Sequence, residues 1–238
     1  MNTLNTPSLP LWISIFFLIV ILVPVFLIAN LARKNSKDTL QNKVFFTISG
    51  FYLVYFIYVC TACLNGLFNA TALPPMILRY STFPFLIFLF GIVVRNSSYK
   101  TLLHSTPLSD LVKLHIFRLI GFTFILLAWH DAIPKYFAIL AGLGDVFTAL
   151  SSIWVAKAIE QRKSYAKLVT YCWNIFGLVD ILFTSIGSNV LTKISFETGS
   201  QGVEILAQFP FCLIPAFAPP TILFLHYSIF KKLKEIYP

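Results

Sequence analysis

Charge is what this chain has least of. Only 11% of its 238 residues are charged, against about 25% in an average soluble domain. With 58% hydrophobic residues and a mean hydropathy of +0.81, it lacks the polar surface that a soluble globular domain needs. Acid is scarcer than base, 9 residues against 18, for a net charge of +9. Recognisable catalytic motifs are missing too: there is no P-loop, no G-x-S-x-G elbow, no H-E-x-x-H pair and no kinase set. The four cysteines add little. Cys60 and Cys63 form a C-x-x-C inside an apolar run, without a second pair or a neighbouring His, and read as small buried thiols rather than a disulfide or metal site. No direct or inverted repeat is visible, so an inverted-repeat transporter architecture has no support.

What is present is a series of apolar runs at about 10–32, 44–67, 75–95, 108–130, 134–157, 165–188 and 207–230, each near the roughly 20 residues that cross a hydrocarbon core as a helix. The expectation is a single all-α domain over 1–238, a polytopic transmembrane helix bundle of seven spans. Basic residues orient it. Arg33, Lys34, Lys37 and Lys43, then Arg95, Lys100 and Lys113, then Lys157, Arg162, Lys163 and Lys167, and finally Lys231, Lys232 and Lys234 fall on connections that the positive-inside rule places in the cytoplasm. The N-terminus is then outside and the C-terminus cytoplasmic. The basic cluster follows the first apolar run rather than preceding it, the reverse of a signal peptide, so that run is expected to be retained. The positive charge is read as loops facing anionic lipid, not as nucleic-acid binding. Asn69-Ala70-Thr71 is a glycosylation sequon in an outer loop.

Asp145 and Asp180 interrupt this pattern, each lying mid-run where a carboxylate costs roughly 3 kcal/mol. At about 100° per residue, Ala138, Ala141, Asp145, Ala149, Ser152 and Ala156 share one stripe of the fifth span. Trp173, Gly177, Asp180, Thr184 and Gly187 share one stripe of the sixth, with Asn174 on its flank. Small residues at this spacing let a neighbouring helix approach, so both carboxylates are expected to face one interior pocket. Two carboxylates that close call for a shared proton or a cation between them.

Several groups are available around them. Arg79 and Lys135 start spans on the outer side, where they either reach down to the carboxylates or snorkel to headgroups. Arg118, in the inner half of the fourth span, either snorkels past Lys113 or pairs and lines a cavity. His130, Asp131 and Lys135 are candidates for an outer rim. His115 and His226 lie near inner helix ends, where interfacial hydrogen bonding is expected. Pro215, Pro219 and Pro220 mark the seventh span as broken, with freed carbonyls that neighbours, water or a cation must satisfy. The aromatic run Phe51, Tyr52, Tyr55, Phe56 and Tyr58 suits lipid contact, leaving the functional half toward the C-terminus.

A retinal protein would need a lysine in the middle of the last span, and none is there. Gly144-Asp145, the segment Trp173-Asn174-Ile175-Phe176-Gly177-Leu178-Val179-Asp180 and the proline-rich last span resemble an uncharacterised group of bacterial seven-span membrane proteins, over about residues 134–230. That resemblance implies a bacterial inner (plasma) membrane and no activity. A weaker similarity, through Gly-Asp and a second helical carboxylate, is to lysoplasmalogenase-like membrane hydrolases. Two main readings follow. The first is a membrane protein that binds or transports a small molecule, lipid or cation in an acidic pocket of spans five to seven, around Asp145, Asn174 and Asp180 with Trp173, Ser152 and Thr184. The second is an intramembrane lipid hydrolase using the two carboxylates; a structural or assembly subunit is a third. No metal site is indicated, and the residues name no cofactor. The first reading is preferred, because no nucleophile or further ligand completes a catalytic constellation.

The topology is directly testable. In a cysteine-free background, Lys37→Cys, Arg162→Cys and Ile236→Cys should label only from the cytoplasmic side and Asn5→Cys only from outside. Outside-only labelling at 37 or 162 would overturn the orientation.

Overall fold

Within a hydrocarbon layer each backbone amide and carbonyl must bond inside its own segment, so long apolar runs wind into helices. The computed structural model describes residues 9–69 and 72–237; position 5 and the sequon residues Ala70 and Thr71 lie outside the described residues. No strand occurs among those described. Among the described residues, six helices are long and apolar enough to cross a membrane: α1 (Leu11–Lys34), α2 (Asp38–Leu64), α5 (Leu108–Trp129), α6 (Lys135–Glu160), α7 (Ala166–Thr198) and α8 (Leu213–Ile236). A seventh passes only as a bent pair, α3 (Leu78–Val93) and α4 (Ser97–Ser105), which meet at 83°. This is a bundle consistent with an integral, multi-pass membrane protein.

Several boundaries differ from the sequence expectation, three of them with a clear local cause. The third run does not continue straight. Asn96 leaves the helix with extended backbone and its side chain accepts from the Ser98 amide at 2.7 Å, capping a new helix where a loop was expected. The sixth helix runs ten residues beyond position 188, to Thr198, where Gly199 closes it in the left-handed conformation at φ 70°. The seventh begins at Leu213 rather than 207, after a short 3-10 turn at Glu204–Ala207.

Polar ties gather the basic connections at one end of the bundle. Lys34 pairs with Asp110 at 3.1 Å and Lys113 with Glu160 at 2.5 Å, Ser105 donates to the Asn35 carbonyl, and Lys232 donates to that of His104. At the opposite end Gln201 donates to the Asp131 carbonyl and Cys63 to that of Ala207.

The last span is not broken. Pro219 and Pro220 lie inside a continuous α8, and Pro215 sits in its first turn, where no amide partner is needed. The prolines remove the amides that would have bonded the Pro215 and Ala216 carbonyls four residues back. Those two carbonyls instead accept from Thr82 Oγ1 at 2.7 Å and Tyr55 Oη at 3.2 Å, while Ser81 is left to donate to Tyr55 at 2.6 Å. Side chains of α2 and α3 therefore complete α8, and the freed carbonyls are already occupied.

This corrects the lipid-facing reading of the aromatic run. Phe51, Tyr52 and Tyr55 turn inward onto Phe88, Phe217 and Phe85, at ring separations of 4.7, 6.0 and 4.5 Å. Tyr58 alone of the tyrosines in that run is exposed, with its hydroxyl on the Tyr80 carbonyl.

A double-mutant cycle checks the repair. Thr82→Val should lower stability in reversible micellar unfolding by about 1 kcal/mol. Pro219→Ala returns an amide to the same carbonyl, so the loss should vanish in the double variant. Simple additivity would mean that Thr82 does not serve that carbonyl.

Candidate functional site

The fourth span changes its winding where the site is built. From His115 to Gly121 the backbone is 3-10 helix, in which residues three apart eclipse. His115, Arg118 and Gly121 consequently stand in one column facing α6, α7 and α8. Arg118 is fully buried. Its Nε donates to Asp145 Oδ1 at 2.6 Å, one terminal nitrogen donates to Asp180 Oδ2 at 2.5 Å, and the other reaches the Gly177 carbonyl at 3.0 Å and His226 Nε2 at 3.2 Å. The planar fork of a guanidinium suits this: four partners on three helices lie around one group, which an ammonium cannot match.

Hydrogen bonding continues into α7 and α8. Asn174 Nδ2 donates to the His226 carbonyl at 3.1 Å, which leaves Asn174 Oδ1 to accept from His226 Nδ1 at 2.8 Å. His226 Nε2 is then the lone pair that meets Arg118. His115 packs on His226 at a 42° tilt with ring centroids 4.4 Å apart and meets Trp173 edge-on at 5.1 Å, yet neither of its nitrogens has a partner among the described residues.

Close approach requires the neighbouring glycines. A methyl group on Gly144 would collide with the Asp180 carboxylate, one on Gly121 with Asp145, and one on Gly177 with the His226 ring at 2.7 Å and Arg118 at 3.0 Å. Where the sequence reads Gly-Asp at 144–145, Gly144 makes room for one carboxylate and Asp145 supplies the other.

On the side away from the basic end, Arg118 and Asp145 form part of the wall of an open, narrow cleft of about 900 Å³, counting the space at its mouth. Its other walls are apolar, from Val25 and Ile28 of α1 through Phe124 and Phe137 to Ile181 and Phe217. Thr184, Ser185 and Ser188 add a line of hydroxyls along α7, and the buried Thr184 Oγ1 has no partner among the described residues. Asp145 spends Oδ1 on Arg118, and its Oδ2 makes no hydrogen bond among the described residues.

The structure thus brings together Asp145, Asp180 and Arg118, with Asn174 beside them through His226. Trp173 and Ser152 lie further toward the basic end: Trp173 Nε1 bonds the Thr148 carbonyl at 3.2 Å and Ser151 at 3.1 Å, and Ser152 bonds the Ala149 carbonyl at 2.6 Å. Both pack helices rather than line the cleft. Arg79 is exposed and holds the Leu73 carbonyl at 3.0 Å, so it does not reach the carboxylates. Asp131 and Lys135 pair with each other at 3.2 Å on the exposed surface, and neither they nor His130 line the cleft. His226 and His115 sit buried, not at an interface. No cluster of three or more metal-ligating side chains occurs among the described residues.

Residues 74–234 match the family described as a domain of unknown function (DUF8737), and the chain belongs to that family. No curated protein and no solved structure matches it.

Removing the cation while keeping both acids exposes what it does. Arg118→Met should destabilise the bundle by about 3–5 kcal/mol, since the buried Asp145 and the part-buried Asp180 lose the one cation that pairs with them among the described residues. Adding Asp145→Asn and Asp180→Asn should recover most of that loss. An Arg118→Met protein as stable as the wild type in micellar unfolding would mean that the cluster does not form.

Proposed function

We propose that this chain is an integral membrane protein that binds a small amphiphilic molecule in the cleft between α1, α5, α6, α7 and α8, with Asp145 receiving its polar end. What carries the reading is one coincidence: a narrow apolar cleft is walled in part by Arg118 and Asp145 of the charged cluster and by Thr184, and neither Asp145 Oδ2 nor Thr184 Oγ1 has a hydrogen-bond partner among the described residues. A buried hydroxyl normally finds a partner, so the orphaned Thr184 Oγ1 and the free acceptor of Asp145 on one cleft suit an occupant that supplies both. The cluster also holds one cation against two carboxylates. Its formal excess of negative charge favours a polar end that donates hydrogen bonds or carries positive charge, such as a hydroxyl or an ammonium. A slim aliphatic or isoprenoid-like tail suits the apolar walls.

The positive-inside rule orients the basic end to the cytoplasm, so the N-terminus is outside and the cleft lies in the outer half of a plasma membrane, read here as a bacterial inner membrane. The hydrolase reading is less well supported. Each carboxylate already spends an oxygen on Arg118 at 2.5–2.6 Å, an arrangement that holds carboxylates still rather than freeing one as a base or both as metal ligands.

The test is mass spectrometry of what co-purifies in mild detergent. Asp145→Asn should reduce the bound species about tenfold or more. Asp180→Asn, which disturbs the same ion pair but does not line the cleft, should retain it. Ser185→Trp fills the cleft and should abolish it with the fold intact by thermal unfolding. An identical bound set in wild type, Asp145→Asn and Ser185→Trp would sink the proposal.

A further inference from the structure

The bend after α3 creates a second concave site, independent of the cleft. At Asn96 the chain turns through 83°, and α4 runs across the basic end of α8. Tyr99 fixes it there, through a 2.8 Å hydroxyl bond to Ser228 and ring packing on Phe224 at 5.2 Å. Between α3, α4 and α8 lies a groove of about 830 Å³, counting its mouth, lined by Val94, Arg95, Tyr99, Lys100, Tyr227 and Lys231 among others.

We propose that this groove holds the phosphate of an anionic phospholipid headgroup. Arg95, Lys100 and Lys231 come from three different elements onto one concavity, and none of them pairs with a carboxylate among the described residues. The one acid of the groove, Glu235, is already engaged by Lys232 at 3.4 Å and by His104. Three unneutralised cations converging without an acid of their own select an anion, and the guanidinium fork with two ammonium groups suits the free oxygens of a phosphate diester.

The surroundings favour a lipid over free phosphate. Tyr227 continues into the apolar face of α3 through Phe90, ring to ring at 5.4 Å, and Ile92 beside it is exposed. A headgroup held here therefore leaves its acyl chains along a lipid-facing helix. Arginine, lysine and tyrosine at the end of an apolar span are the residues that meet headgroups.

Native mass spectrometry of detergent-solubilised full-length protein titrated with phosphatidylglycerol tests the site. Each basic residue at an anionic surface is worth roughly fivefold in affinity. The variant Arg95→Gln/Lys100→Gln/Lys231→Gln should therefore bind about a hundredfold more weakly. Removing the same charge at the same end but outside the groove, with Lys157→Gln/Arg162→Gln/Lys163→Gln, should change binding by no more than about threefold. The single reversal Lys100→Glu, at an exposed position, should weaken binding without affecting thermal unfolding. Equal losses in both triple variants would reduce the effect to diffuse charge and overturn the site. Displacement of the lipid from wild type by millimolar inorganic phosphate would overturn the lipid assignment in favour of free phosphate.

Discussion

A guanidinium with no exposed surface, in the middle of an apolar bundle, constrains everything around it. Burying it is tolerable only if its donors are met and its charge is countered. Here α6 and α7 each supply a carboxylate, α7 adds a backbone carbonyl and α8 an imidazole, all within 3.2 Å. The glycines at 121, 144 and 177 are empty where these side chains need volume. Four helices are thereby fixed in rotation and depth, and the apolar cleft on one side of the cluster follows from that register.

Helix periodicity revealed the two acids but not the group that joins them. Asp145 and the small residues of its stripe follow the 100° repeat of a regular α-helix, and all of them are buried. Arg118 breaks the rule, because its segment is wound as 3-10 helix and an α-helical wheel does not place His115, Arg118 and Gly121 in one column. His226 escapes helix periodicity for another reason. Its partner Asn174 is 52 residues away, and nothing local marks the pairing. Arg79 and Lys135 were plausible from depth alone, but side chains near a span end find nearer carbonyls and acids.

The same distinction applies to the fold. The apolar runs located the long helices to within a few residues at most ends, because hydrocarbon burial is written into composition. Whether α8 breaks at its prolines is not. That depends on hydroxyls of Thr82 and Tyr55, which arrive from other helices and bond the Pro215 and Ala216 carbonyls. Even in the aromatic run of α2, which suits lipid as well as protein, Phe51, Tyr52 and Tyr55 face inward because α3 and α8 present rings to them.

One isotope experiment addresses the central claim. Of the arginines at 33, 79, 95, 118 and 162, only Arg118 pairs with an aspartate among the described residues, whereas Lys34 and Lys135 take Asp110 and Asp131. Protein labelled with 15N in arginine side chains and 13C at the aspartate carboxyl, reconstituted in liposomes, should show dipolar contacts within about 4 Å to two distinct carboxyl carbons. Those contacts should disappear in Arg118→Met. Detecting no arginine–aspartate contact at that range in the wild type would contradict the account.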